Sequence, residues 1–145
     1  KLTDIPKPEP KENEVLIKIM ATTVHRGDTR MRSLNFPGPV WQQFIGRIVL
    51  GYSKPKNKIL GMDLAGIIEE TGKNVTKYKI GDKVFSSTSW AGFGTYSEYK
   101  CIDEKNVLTL MPSNMTFEEA AVIPSGGITA LWLAKKRILK KMKRC

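Results

Sequence analysis

The sequence predicts a mainly β fold with short helices gathered at its C-terminal end, and three observations carry that prediction. Stretches of strand length recur along the first three-quarters of the chain, among them Val15–Met20, Gly66–Glu70 and Val107–Met111. Glycine-containing turns separate them, as at Thr71-Gly-Lys-Asn and Gly81-Asp82. After Pro112 the texture changes to alanine- and leucine-rich stretches that favour helix. Several short strands punctuated by glycine turns point to a barrel or a sandwich. With 145 residues, 41% of them apolar, the chain has the size and composition to bury one core.

The elements follow in order. Pro6, Pro8 and Pro10 make the opening extended, because proline lacks the amide hydrogen that helices and inner strands need. Val15–Met20 (VLIKIM), apolar except for Lys18, reads as a buried strand. Val24–Leu34 is a turn leading into a short helix. Pro37, Gly38 and Pro39 mark a loop, Trp41–Leu50 has the pattern of an amphipathic helix, and Lys54–Lys58 is a solvated turn. Gly81-Asp82 is a hairpin signal inside Tyr78–Ser86. Thr95–Ile102 alternates, with Tyr96, Glu98 and Lys100 on one face and Tyr99 and Cys101 on the other, and we expect Tyr96 and Tyr99 to be core residues. Thr116-x-x-Glu119 is a capping box opening a helix over Phe117–Ile123. Ser125-Gly-Gly then precedes a second helix, Ile128–Lys136.

Charge and cysteine content narrow the function classes. The formal charge is +10, but residues 135–145 (KKRILKKMKRC) hold seven basic residues and no acidic one. The other 134 residues carry 17 basic and 14 acidic side chains, which is no basic face of the kind nucleic-acid binding requires. We therefore expect no nucleic-acid partner for the body of the chain. The tail itself reads as an anion-binding segment, as an amphipathic helix with Ile138, Leu139 and Met142 on one side, or as a consequence of where the chain ends. No apolar run reaches the roughly 18 residues that span a bilayer, and no signal peptide opens the sequence, so a cytoplasmic protein without a membrane partner is expected. Two cysteines, Cys101 and Cys145, suit a reducing compartment. With one histidine and no closely spaced ligand pairs, the sequence offers no zinc site and no metal is expected.

Among the motifs, Gly92-Phe-Gly94-Thr-Tyr-Ser97 lacks the third glycine of a dinucleotide fingerprint and leads into a strand, so no phosphate cradle is present. His25 follows a buried strand and stands beside Asp28. It reads either as a loop histidine whose neighbour Asp28 caps the next helix, or as an imidazole that donates a hydrogen bond to a carbonyl substrate. Trp90 and Phe93 sit in a Gly/Ser-rich loop where a core role is hard to arrange, which makes them candidate pocket walls.

Five collinear segments, Asn13–Ile19, Gly61–Glu69, Val75–Phe85, Gly94–Tyr99 and Phe117–Pro124, resemble the medium-chain dehydrogenase/reductase superfamily, in particular its zinc-independent, quinone oxidoreductase-like branch. The resemblance implies a GroES-like β-barrel with a C-terminal helix. Residues 1–124 would form the GroES-like domain, and 125–145 the start of the inter-domain helix plus the basic tail. Zinc alcohol dehydrogenases have a cysteine where this chain has His25 and a histidine where it has Met62, and they carry a four-cysteine lobe that is missing here. The resemblance therefore implies the metal-free branch, with NADP or NAD as the cofactor of the full-length family and none bound to this chain. It places His25, the best candidate for a catalytic residue, and Thr129 beside the cofactor. Thr29, Met62, Trp90 and Phe93 would shape a pocket for a small carbonyl or quinone, while Asp28 looks structural. Hydride transfer in this branch relies on positioning the two reactants.

The family continues into a glycine-rich cofactor domain, so we expect a reading truncated before that domain and inactive alone. We expect a frameshift in an A-rich gene to underlie the basic tail, a question that the nucleotide sequence beyond Cys145 answers. The C-terminal helix, with Leu131, Trp132 and Leu133, would then be exposed and would favour homo-oligomers. The alternative expectation is a non-enzymatic barrel module whose basic tail contacts nucleic acid or a protein partner.

Overall fold

The computed structural model describes residues 3–33, 39, 41, 59–89 and 91–142, with side chains described up to Lys136. The expected Trp41–Leu50 helix apart from Trp41 itself, the Lys54–Lys58 turn and Trp90 lie outside the described residues, as do the side chains of Ile138, Leu139 and Met142. Five strands form one antiparallel sheet: β1 (Glu14–Thr22), β2 (Asp63–Thr71), β3 (Lys83–Ser87), β4 (Tyr99–Asp103) and β5 (Leu108–Leu110), in the spatial order β4-β1-β2-β3-β5. A short helix α1 (Arg26–Ser33) follows β1, and α2 (Phe117–Val122) and α3 (Ile128–Met142) end the chain.

This topology forces the sheet to curl. Strands β4 and β5 occupy its two edges, yet only Glu104–Val107 join them. Four strand spacings in a flat sheet amount to roughly 19 Å. The link cannot stretch that far, because it contains a turn in which the Asn106 amide donates to the Asp103 carbonyl at 3.0 Å. The edges therefore come round towards each other, and the core lies inside. Val15 and Ile17 of β1, Leu64 and Ile68 of β2, Val84 of β3, Ile102 of β4 and Leu108 of β5 form one buried cluster to which every strand contributes. That is the GroES-like barrel implied by the resemblance.

The outer side of the sheet takes α2. Ala120 and Ala121 pack against Ala65 with Ala21, Phe85, Met111 and Phe117 around them. The alternation of β2 and β3 follows from this division, since Leu64 and Val84 face the inner core while Ala65 and Phe85 face the helix. In β1, Ile19 packs on the inner core and Ala21 on the helix side, although both positions are odd. A register shift between these residues against β2 explains the switch, because an extra residue reverses the pleat. Gly66, facing that shift, admits the β1 backbone closely: a Cβ there would strike the Lys18 carbonyl and lie 2.7 Å from Ile17 Cγ2.

Three expectations need correction. Gly81-Asp82 is not a tight two-residue hairpin loop, although it lies between the paired strands β2 and β3. It forms the last turn of a long β2–β3 connection, with the Asp82 amide donating to the Lys79 carbonyl at 3.2 Å and Gly81 at φ +90°. The strand expected over Thr95–Ile102 begins only at Tyr99, because the amides of Thr95 and Tyr96 donate to the carbonyls of Gly61 and Leu60 instead of to a sheet neighbour. Tyr96 is consequently a surface residue, 39% exposed, and half-buried Tyr99 lies under Lys7 Nζ at 4.7 Å. Finally, Ser125-Gly-Gly does not separate two helices. Ile123–Gly127 is a π-helical turn with Pro124 at its start, continuous with α2 before it and α3 after it. The capping box at α2 forms as expected: the Glu119 amide donates to Thr116 Oγ1 at 3.2 Å and the Thr116 amide donates to Glu119 Oε2 at 2.9 Å.

Glu104, at the β4–β5 link, ties the long connection to the barrel. Its carboxylate accepts from the amides of Thr76 and Lys77 at 2.9 and 3.1 Å, and these two bonds hold its carboxyl below the usual carboxylate range. A carboxyl that titrates lower in the folded chain adds stability above its unfolded value of about 4.3, and that stability is lost as pH falls through the folded value. We expect Glu104→Gln to lower the urea midpoint at pH 7 and to leave it unchanged at pH 2.5. Urea titrations of both proteins at the two pH values check this, and an equal loss at both would contradict it.

Candidate functional site

An open cleft of about 550 Å³ lies between the end of β1 and the helical C-terminal segment. Thr23, His25 and Asp63 line it from the barrel, while Ser125, Thr129 and Leu133 line it from the π-turn and α3. The cleft thus brings His25 and Thr129, far apart in sequence, to facing walls. Thr29, Met62 and Phe93 fall outside this lining. Thr29 is exposed on α1, its hydroxyl donating to the Arg26 carbonyl at 2.9 Å. The Met62 thioether methyl approaches Gly27, next to the imidazole of His25. Phe93, half-buried, stands at φ +60° between Gly92 and Gly94, with its amide donating to the Thr88 carbonyl at 3.0 Å.

His25 caps α1, and local chemistry sets its ring. The Gly27 amide donates to Nδ1 at 3.0 Å, and the His25 amide donates to Asp28 Oδ2 at 3.0 Å. Side chain and backbone of the first turn satisfy each other, as in a capping box. Asp28 is buried and carries out the capping role expected of it. Position 27 must be glycine for this packing, since a Cβ there would sit 2.7 Å from His25 Cε1. On the other side of the ring, Nε2 lies 3.9 Å from Asp63 Oδ2, beyond hydrogen-bond reach. His25 Nε2 and Asp63 Oδ1 are the two buried side-chain polar atoms without a partner among the described residues.

Hydroxyl groups surround this pair. Thr22 Oγ1 donates to the Asp63 carbonyl at 2.7 Å, and Thr22 and Thr95 share a hydrogen bond of 2.8 Å between their hydroxyls. Across the cleft, Thr129 donates its hydroxyl proton to the Ser125 carbonyl at 2.7 Å, which leaves its lone pairs free to accept from a ligand. Tyr96 donates its hydroxyl to the Thr23 carbonyl at 3.3 Å. Burial, with the neighbouring Asp28 carboxylate second, pushes its phenol up to about 12. Among the described residues no three His, Cys, Asp or Glu side chains converge as a metal site.

Asp63 and Thr23 are the site residues that sequence reading passed over. The signal for Asp63 was present, since a carboxylate heading the apolar strand Leu64–Ile68 needs a reason to be buried. For Thr23, no comparable signal exists.

A raised phenol favours the neutral form in the folded chain, so its stabilising contribution is complete below the ordinary tyrosine value near ~10 and is lost as pH rises towards 12. Tyr78 is also raised, by burial and by Glu104, so ultraviolet titration at alkaline pH is expected to show a late component that shrinks in Tyr96→Phe and shifts in part to lower pH in Asp28→Asn. A titration unaltered by Tyr96→Phe would refute the assignment.

The alcohol dehydrogenase GroES-like domain matches residues 11–113 of the chain. The mitochondrial NAD(P)H oxidoreductase RTN4IP1 of Dictyostelium discoideum is 35% identical over 143 residues, 98% of this chain and 37% of that protein. The quinone oxidoreductase of Coxiella burnetii superposes with a TM-score of 0.72 at 30% identity, covering 94% of this chain and 40% of the other. The Escherichia coli quinone oxidoreductase, solved in complex with NADPH, gives a TM-score of 0.72 at 28% identity over 93% of this chain and 36% of the other. The chain therefore spans little more than a third of the length of these relatives. With the curled sheet and the matched residues together, the chain belongs to the alcohol dehydrogenase GroES-like domain family of the quinone oxidoreductase-like medium-chain dehydrogenases/reductases.

Proposed function

We propose that this chain supplies the catalytic-domain part of a zinc-independent, NAD(P)H-dependent oxidoreductase acting on quinones, enones or related carbonyls, and that it does not turn over alone. The carrying observation is the cleft that sets His25 opposite Thr129, the two residues expected beside the nicotinamide. The cofactor, when bound, supplies the hydride. The groups present suit its nicotinamide end: Thr129 offers acceptor lone pairs, and exposed Val122 and Leu133 offer apolar contact. No glycine-rich phosphate loop stands in the sequence, so the phosphates are assigned to another part of the enzyme. Thr29, Met62, Trp90 and Phe93 are retained as the substrate end, the Met62 thioether methyl lying beside Gly27 as the imidazole does.

The zinc-free assignment rests on the donor set. Met62 presents a thioether and His25 is a lone imidazole whose Nδ1 already accepts from Gly27, a combination that suits zinc poorly. We keep the cytoplasm as the compartment on the strength of the half-buried free thiol of Cys101. No described helix is long and apolar enough to cross a membrane. The alternative of a non-enzymatic module rests on the basic tail, whose side chains beyond Lys136 lie outside the described residues.

The decisive experiment replaces the corresponding segment of the Escherichia coli quinone oxidoreductase with residues 1–134. The chimera is expected to oxidise NADPH with benzoquinone, and His25→Ala to lower its kcat/KM by about 10- to 100-fold, as misplaced reactants do. The 145-residue chain alone is expected to show no oxidation above buffer. A folded chimera that binds NADPH without oxidising it would refute the reading, as would turnover by the chain alone.

Helix α3 exposes Ile128, Leu131, Trp132 and Leu133, each more than half accessible. We assign self-association to this face. Sedimentation velocity over a range of concentrations is expected to show a rising weight-average coefficient that Trp132→Glu abolishes, and a concentration-independent monomer would contradict it.

A further inference from the structure

We infer that Asp63 is a positioning residue for His25, holding the imidazole by Nε2–H so that both ring nitrogens are engaged and the ring borders the cleft as a fixed wall instead of a proton donor. The inference deepens the proposed function, and it rests on that reading only for what the wall contacts.

His25 is the single histidine of the chain. Its Nδ1 accepts the Gly27 amide proton at 3.0 Å, so Nδ1 carries a lone pair and the hydrogen of the neutral ring sits on Nε2. That N–H is buried and without a partner. Asp63 faces it, 1% exposed, with Oδ1 equally orphaned and Oδ2 in only a long contact of 3.5 Å with the Thr23 hydroxyl. The lone donor thus faces the carboxylate across 3.9 Å to Oδ2, the oxygen held only by the long Thr23 contact, while Oδ1 of the same carboxylate has no partner at all. Leaving such groups unmade is costly, whereas an N–H donating to a carboxylate is among the stronger hydrogen bonds.

Each partner is pinned at its backbone, so closing the gap of about 1 Å falls to side-chain torsions. Asp63 starts β2 in register with Ser87, and its carbonyl is held by Thr22 Oγ1. His25 is held at the α1 cap. The second carboxylate near the ring, Asp28, lies 3.7 Å from Nδ1 but is already engaged with the His25 amide. It defines the rival arrangement, in which Nδ1 carries the hydrogen, turns from Gly27 to Asp28 and leaves Nε2 bare.

Nitrogen-15 NMR of the 145-residue chain at pH 8, above the ordinary histidine range near ~6.5, separates the two. With one histidine, the imidazole gives one spin system. The expected result is a proton bound to Nε2 that exchanges slowly with water, and an Nδ1 without a proton. Asp63→Asn is expected to move that proton upfield and to speed its exchange by at least about tenfold, as loss of a charged acceptor does. Thr23→Val, which releases Oδ2 to the ring, is expected to move it downfield and slow its exchange. A proton on Nδ1, an Nε2 proton that exchanges as fast as in free imidazole, or a folded Asp63→Asn protein with an unchanged signal would each overturn the inference. Should Asp63→Asn fail to fold, the unsubstituted chain and Thr23→Val decide it. The measurement uses neither cofactor nor quinone, so an inactive chimera leaves it standing, and its own failure leaves the proposed reductase standing.

Discussion

Strand β1 is paired on both edges, with β2 on one side and β4 on the other, and the rest of the molecule is arranged around that double pairing. It accounts for the apolar run Val15-Leu16-Ile17, all three of which are fully buried. Over these three residues packing on each face leaves no exposed position to alternate with. Further along the same strand Lys18 and Met20 are exposed, so the buried strand expected over Val15–Met20 is buried only in its first half. The same strand carries the chain from the barrel to the cleft. Its register shift near Ile19 turns Ala21 towards the α2 side, and Thr22, Thr23 and His25 follow directly onto the rim. The cleft residues therefore inherit their placement from a strand that cannot slip without turning core positions to the wrong face.

The site itself is built from two kinds of local chemistry. One is helix capping, which engages His25, Gly27 and Asp28 with one another and turns the imidazole towards Asp63. The other is a lining of threonine hydroxyls that satisfy backbone carbonyls around Asp63 and leave its carboxylate nearly alone. Buried polar groups are normally paired, so the two orphaned atoms here mark the spot where packing has been subordinated to something else. The opposite wall contributes little polarity, being formed by exposed apolar side chains of α2 and α3 with Thr129 among them. A cleft with polar groups converging on one wall and apolar surface on the other is the usual form of a small-molecule site.

Much of this was open to reading in the residues. The capping box at Thr116 and Glu119, the short helix after Val24, and the strands around Ile17, Ile67 and Leu108 all follow from local pattern and are present as read. The errors have different causes. Thr95 and Tyr96 have the composition of strand residues, but their amides are claimed by the carbonyls of Leu60 and Gly61, distant in sequence. Ser125-Gly-Gly has the composition of a break, yet the chain continues through it as a π-turn. Local propensity is a weak prior wherever such long-range partners compete for the same backbone groups.

The order of residues dictated the class of fold, the α1 and α2 caps and the inward faces of the strands, because these depend on periodicity and on partners three or four positions away. Folding in three dimensions settled that β4 and β5 lie on opposite edges joined by a four-residue link, that His25 and Thr129 meet across one cleft, and that Asp63 stands beside the imidazole. The last two relations join residues tens of positions apart. They exist only once a curled sheet brings its edges together, and no spacing along the chain encodes that curvature.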